Sequence, residues 1–211
     1  MVVAGAQTAG RGRRGRTWFS PPDSGLYVSV VLAPSRATDP SRAMRLLTLA
    51  VGIALADAVE SSAGLCVDLK WPNDLYVARR KLAGILAEAS GDAVVVGYGI
   101  NVTATSFPPE LRDRATSLES ELGRACDRAN LFAETLATID ARYADLLEGR
   151  FDAILDAWRR RAPAAIGARL SWTAATGTLT GTTAGIDHEG ALLVRVGDRI
   201  ERIIAGELSW D

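Results

Sequence analysis

The chain is 211 residues long, 48% hydrophobic and 23% charged, with a formal net charge of −1. That is the make-up of a soluble globular protein, one domain or one domain plus a small appendage, with enough residues to bury a sizeable core. Near-neutrality excludes an overall electrostatic pull toward nucleic acid or a membrane surface. The apolar stretches read as shorter than the ~20 residues of a membrane span, and the first residues lack the basic and apolar regions of a signal peptide. Cys66 and Cys126 form neither a disulfide framework nor a metal-ligand spacing, so a reducing cytoplasm is the expected location.

In chain order, residues 2–4 are a short apolar run and predict a strand. Residues 7–23, rich in Gly, Pro and Arg, predict a loop, and the Val- and Leu-rich segment 26–32 predicts a buried strand. Asp39-Pro40 reads as an N-cap followed by proline at the first helical position. The helix it opens runs to about residue 61 and is apolar nearly all round, which predicts deep burial. Strands follow at 67–71, 75–77, 82–89 and 94–100, with a turn at 72–74. Residues 101–117 read mostly as loop, and 129–147 and 151–161 as amphipathic helices, ended by Ala162-Pro163. From Ala168 the texture changes to short strands at 170–173, 178–186, 191–196 and 199–205, separated by turns at 188–190 and 197–198. This predicts a larger domain of strands and helices over 1–163 and a small antiparallel β-barrel over 164–211.

Residue scarcity is informative. Of the 24 basic residues 22 are arginine, and the two lysines, Lys70 and Lys81, stand eleven positions apart. Lys81 opens an almost wholly apolar run, where an unpaired ammonium is costly, so an anion is expected beside it. Lys70-Trp71-Pro72-Asn73-Asp74 combines a cation, an amide able to read a base edge and a carboxylate able to meet a metal or orient a cation. Gly84 leaves room for a ligand or another backbone. Gly97-Tyr98-Gly99-Ile100-Asn101 is weaker alone, since a bland turn explains it equally well.

Gly10-Arg11-Gly12-Arg13-Arg14-Gly15-Arg16 contains the spacing of a dinucleotide fingerprint, yet Pro21-Pro22 and a strand follow it where a helix is required. An RNA-binding loop and a plain solvated basic loop remain as alternatives. The reading favoured by residue chemistry is an anion-binding loop. Its glycines let backbone N–H groups approach phosphate, and its arginines offer bidentate contacts.

Taken together, Gln7-Thr8-Ala9-Gly10-Arg11-Gly12-Arg13 with Trp18, KWPNDLYV, KLAGIL, GYGIN and the later Gly206-Glu207-Leu208-Ser209 resemble, in order and spacing, the biotin protein ligases. The resemblance implies an α/β (α+β) fold: a mixed-sheet catalytic domain similar to class II aminoacyl-tRNA synthetases, plus an SH3-like barrel. It implies ATP, biotin and Mg²⁺ as reactants and cofactor, with the magnesium ligands left unassigned. The partner would be the biotin carboxyl carrier domain of a biotin-dependent carboxylase, with no membrane and no DNA as partners and a homodimer possible. Carried over by residue, Lys81 and Arg13 would be catalytic. Gln7, Arg11, Gly12, Arg13, Trp18, Lys81, Gly84 and Asn101 would bind biotin or its adenylate, and Lys70, Asn73 and Asp74 would form the nucleotide and metal region. The family carries a further strand and helix ahead of the Gln7 loop, so the chain is expected to be N-terminally incomplete. A lipoate–protein ligase-like acyl transfer is the alternative enzyme, although the RGRRGR loop and KWPND favour biotin. An Arg-loop nucleic-acid binder is the non-enzymatic alternative.

Overall fold

The computed structural model describes residues 1–174, 177–206 and 208–210. Strands β1 (Val2–Ala4) and β2 (Gly25–Leu32) precede helix α1 (Pro40–Ala63). Then come β3 (Asp68–Lys70), β4 (Asp74–Val77), β5 (Arg80–Ser90) and β6 (Ala93–Asn101). Helices α2 (Leu118–Leu122), α3 (Arg128–Leu147) and α4 (Phe151–Arg161) follow. The chain continues through β7 (Ile166–Ala174), β8 (Gly177–Ile186), β9 (Leu192–Val196), β10 (Arg199–Ile203) and β11 (Leu208–Trp210).

The first sheet has the order β1-β2-β6-β5-β4-β3. The α/β class stands, but the expected mixed sheet is antiparallel at every ladder among the described residues. The reason is connectivity. Strands β3 to β6 are joined by links of only a few residues, and a parallel neighbour needs a crossover of a dozen or more. Among the described residues the one parallel pairing is an isolated bridge, Lys81 to Ala115.

Helix α1 is capped as the sequence predicts. Asp39 accepts from the Arg42 N–H at 3.0 Å, and left-handed Gly64 closes the other end with its N–H on the Glu60 carbonyl at 2.9 Å. At 24 residues α1 is long and apolar enough to cross a membrane, contrary to the expectation that no stretch reaches that length. The explanation is burial: 72% of its most apolar window lies inside the protein. The helix is apolar all round because the sheet covers one side and α3 and α4 cover others. Leu46, Ile53 and Leu55 on α1, with Leu82 and Ile100 on the sheet, are fully buried. Each such side chain contributes ~1.5–3 kcal/mol. Tyr98 of β6 reaches Thr135 of α3, hydroxyl to hydroxyl at 2.8 Å.

The second sheet, β10-β9-β8-β7-β11, is antiparallel throughout. The strands expected after residue 168 form a five-stranded sheet with β10 and β11 at its edges. The last strand was not foreseen, and the strand predicted over 199–205 stops at Ile203. Short α2 also falls where no element was expected. The turn over 187–190 docks this sheet on α1 and the end of β3. Trp71 Nε1 donates to the Gly190 carbonyl at 2.9 Å, Arg42 Nε to the His188 carbonyl at 3.2 Å, and Arg45 pairs with Glu189 at 2.7 Å. A methyl at Gly190 would sit 2.8 Å from Leu46 Cδ2, so only glycine allows this approach.

Candidate functional site

Strands β5 and β6 turn alternate side chains to opposite faces. Ile85 points at α1, where a methyl on Gly52 would lie 3.8 Å from its Cδ1. Gly84 therefore faces the other way, and it pairs with Gly99 as Leu86 pairs with Gly97. These glycines make a bare floor. Trp18 lies on it: a methyl at Gly99 would come within 2.4 Å of Trp18 Nε1, and one at Gly84 within 3.1 Å of its Cζ3. The indole N–H is buried without a hydrogen-bond partner among the described residues. Leaving such a donor unmade costs ~1–3 kcal/mol, which a ligand acceptor would relieve.

The basic loop has almost no apolar anchor before Trp18, and the structure holds it by hydrogen bonds instead. Trp18 N–H donates to the Gly10 carbonyl at 2.9 Å and Gly12 N–H to the Arg16 carbonyl at 2.7 Å, around a 3-10 turn over Arg13–Gly15. Arg14 adopts φ 57°, in the left-handed region that non-glycine residues rarely occupy. Gln7 is tied to the returning chain, its Oε1 accepting from Ser20 Oγ at 2.7 Å. Two loop arginines reach the sheet. Arg11 pairs with Glu88 at 2.8 Å, an exposed contact that stabilises little. Arg13 donates to Asn73 Oδ1 at 3.2 Å. Burial of Arg13 lowers its pKa, with Asp74 opposing that shift, and a guanidinium keeps its charge regardless.

Asn73 in turn locks the turn after β3 to the sheet, its Nδ2 donating to the Ile85 carbonyl at 2.7 Å. The Trp71–Pro72 peptide in this turn is cis. The anion expected beside Lys81 is Asp74, at 2.7 Å from its Nζ, with both side chains mostly covered. The Lys81 ammonium also lies 5.3 Å from the centre of the Trp18 ring. Its backbone is fixed on both sides: its N–H donates to the Arg114 carbonyl at 2.8 Å, and its carbonyl accepts from Thr116 at 2.9 Å. Asn101, 3% exposed, is spent on this brace, its Nδ2 donating to the Thr116 carbonyl at 3.0 Å. Lys70 is half-buried against Tyr76, and burial lowers its pKa. The Tyr76 hydroxyl is pushed up to about 12, mainly by burial.

All of the predicted residues, Gln7, Arg11, Gly12, Arg13, Trp18, Lys70, Asn73, Asp74, Lys81, Gly84 and Asn101, line one cleft of about 1550 Å³. Glu207 of the last motif lies outside the described residues. The cleft gathers nine basic side chains against four acidic ones, on a chain of net charge −1. Cationic charge is thus concentrated where an anion would bind, which raises local anion concentration. Sequence reasoning missed Glu88, Tyr76, Arg79, Arg114 and Trp210. Tyr76, Arg79 and Glu88 sit in or beside recognised motifs without a distinctive neighbour, Arg114 lies in the segment 101–117 read as loop, and the alternation Leu208-Ser209-Trp210 was the one signal for a further strand. Among the described residues no group of three or more His, Cys, Asp or Glu side chains could cage a metal.

Residues 1–103 match the profile described as the biotin/lipoate A/B protein ligase family, and residues 173–209 that of the biotin protein ligase C terminal domain. The chain is 36% identical to the biotin–[acetyl-CoA-carboxylase] ligase of Mycobacterium tuberculosis, covering 99% of this chain and 77% of that protein. It is also 36% identical to the bifunctional ligase/repressor BirA of Bacillus subtilis, but spans only 65% of that protein's length. Among solved structures it resembles the biotin protein ligase of Aquifex aeolicus in complex with biotin and ATP, with a TM-score of 0.86 at 32% identity, over 99% of this chain and 87% of that one.

Proposed function

The chain belongs to the biotin protein ligase family, and we propose that it activates biotin with ATP as biotinyl-5′-AMP and transfers the biotinyl group to a lysine of a biotin carboxyl carrier domain. The observation that carries this reading is one juxtaposition: Lys81, Asp74 and Arg13 stand beside Trp18 over a glycine floor. A ring lies flat on glycines, and cations at its edge meet a carboxylate and a phosphate.

In the first step a biotin carboxylate oxygen attacks the α-phosphorus and pyrophosphate leaves. In the second a carrier lysine amine attacks the acyl carbon, AMP leaves and the amine loses a proton. Both steps join anions or release them, so positioning and charge stabilisation supply most of the catalysis. Lys81 holds the two approaching oxygens, Asp74 orients its ammonium, and Arg13 closes over the adenylate with Asn73 as its anchor. Trp18 covers the nucleotide side, and Gln7, Arg11, Gly12, Gly84 and Asn101 complete the walls. Asp74 is the carboxylate that would help hold a magnesium ion, and such an ion would supply neutralisation of charge on the phosphate oxygens. No histidine base is required, and His188 sits in the turn that docks the second sheet.

The second profile match names biotin alone, which favours biotin over lipoate. Biotin-dependent exchange of labelled pyrophosphate into ATP tests the first step, followed by transfer to a purified carrier domain. Exchange driven by lipoate and not by biotin would move the assignment to the lipoate enzymes. Salt-sensitive RNA binding with no exchange would replace it with the nucleic-acid reading.

A further inference from the structure

The second sheet lies against the cleft as well as beside it. Strand β11 pairs with β7, Trp210 opposite Leu170, and this places the indole over Lys70. The Lys70 ammonium is 5.2 Å from the Trp210 ring centre and 4.5 Å from that of Tyr76. Its only hydrogen bond among the described residues is a long one, to the Tyr76 hydroxyl at 3.4 Å. Asp74 is the Cα partner of Lys70 across the β3–β4 ladder, yet its carboxylate goes to Lys81. Among the described residues Lys70 makes no ion pair. Two aromatic faces hold it instead.

That choice of partner has a chemical consequence. A carboxylate beside an ammonium cancels its charge, whereas a ring quadrupole attracts the cation and leaves its full charge in place. A lysine side chain also carries ~2 kcal/mol of rotamer entropy. A site that needs its cation already aimed must restrain the stem without neutralising the head. Resting on the ligase reading above, we propose that Trp210 is a positioning residue for the nucleotide: with Tyr76 it clamps the Lys70 ammonium in the cleft, uncancelled, for the phosphates of ATP. The second sheet thereby becomes part of the binding site without touching the substrate. Its docking supports this. Trp71, the residue after Lys70, bonds to Gly190 of the same sheet, so both sides of the β3 end are held by it. The lowered basicity of Lys70, caused chiefly by burial and opposed by Asp74, fits an ammonium set among rings.

The scarcity of lysine makes this directly measurable. Reductive ¹³C-methylation, which keeps the positive charge, gives signals from Lys70, Lys81 and the amino terminus only. The Lys70 signal, assigned by its loss in Lys70→Arg, is expected upfield of a free dimethyl-lysine through ring currents. Trp210→Leu keeps an apolar strand residue but removes the ring. It is expected to shift that signal toward the free position. In unlabelled protein it should raise the KM for ATP roughly five- to tenfold, as for the loss of one cation–π contact, with kcat and the KM for biotin unchanged. Trp210→Phe should recover most of both effects. A Lys70 signal indifferent to Trp210→Leu overturns the clamp, and so does a shifted signal with unchanged KM for ATP. Equal losses for ATP and biotin would make Trp210 a packing residue and overturn it too. The ligase reading fails separately. If ATP moves the Lys70 signal but biotin-dependent exchange is absent, the clamp stands and the reaction assigned above falls.

Discussion

The two faces of the first sheet are made from the same strands and differ in what their side chains are for. On β5 and β6, Leu82, Ile85, Val96, Tyr98 and Ile100 are buried in the core with α1 and α3. One residue over, Gly84, Gly97 and Gly99 leave the opposite face bare, with Trp18 lying over Gly84 and Gly99. Glycine in a strand gives up side-chain packing and adds backbone entropy to the unfolded chain. The core face therefore stabilises both. Under the ligase reading, their difference teaches that strand alternation would divide stability from ligand recognition, with one residue's shift between them.

The sharpest way to break that comparison is to alter each face alone. Leu55→Ala on α1 empties a fully buried position under the sheet, and should cost about 2–5 kcal/mol of stability. The fraction that remains folded should keep its KM values for ATP and biotin, measured after urea titration has fixed that fraction. A selective change in one KM would show that the core face also tunes the site.

Lys81→Arg tests the other face. The compact ammonium sits between Asp74 and the face of the Trp18 ring. A guanidinium is wider and planar, and misplacement by ~1 Å costs on the order of a hundredfold. Pyrophosphate exchange should fall by about that factor with an unchanged thermal midpoint, while transfer from supplied biotinyl-AMP suffers less. Near-normal exchange in the variant would reduce Lys81 to a structural lysine.

Gly99→Ala comes next. Its methyl would collide with the Trp18 indole, and the indole must lift from the floor. Roughly tenfold weaker nucleotide binding by calorimetry is expected, with biotin binding affected less, on the scale of one displaced stacking contact of ~1–3 kcal/mol. Arg13→Gly removes the link to Asn73 and should release biotinyl-AMP that labels lysines on bystander proteins. A variant that merely loses exchange, with no bystander labelling, would deny Arg13 its retention role.

Legibility divides along the same faces. The core was readable because burial leaves a periodic record: α1 is apolar all round, and β2 and β6 are dense in valine. The extent of α1 was read nearly to its end, and what was misjudged is its likeness to a membrane span, because a helix buried on several sides has that composition. The site was readable where a residue contradicted its surroundings, as Lys81 did in an apolar run, and its partner Asp74 lay in the neighbouring motif. What was not readable depended on distant pairing. Nothing near Trp210 announces that β11 will pair with β7 and bring an indole to Lys70. Nothing near Glu88 announces Arg11, 77 residues away. Asn101 shows the converse: the sequence marks it as a site residue, and the structure spends its amide on backbone carbonyls.

The smallest effect at neutral pH concerns a hydroxyl buried on the core face, that of Tyr98. Tyr98 reaches Thr135, and burial pushes its phenol up to about 12 from an ordinary 10. Between those values the unfolded chain releases the phenolic proton and the native protein keeps it. The native state then binds more protons than the unfolded one, so stability falls as pH rises. The contribution is whole below pH 10 and is lost as pH climbs to about 12, by ~3 kcal/mol at ~1.4 kcal/mol for each unit. Tyr98→Phe should remove this group's share of the alkaline loss. At neutral pH it forfeits one hydrogen bond, about 1 kcal/mol, and the cost stays small because Thr135 Oγ1 still donates to the Phe132 carbonyl at 2.7 Å. Urea unfolding at neutral pH and again near pH 11 reads both. Tyr76 has its own raised pKa and stays in both proteins, so the expected result is a shallower alkaline decline, with the variant gaining on the parent as pH rises. Two parallel declines would mean that the Tyr98 hydroxyl ionises in the folded protein as it does in water, and that this face of the sheet is less sealed than its packing indicates.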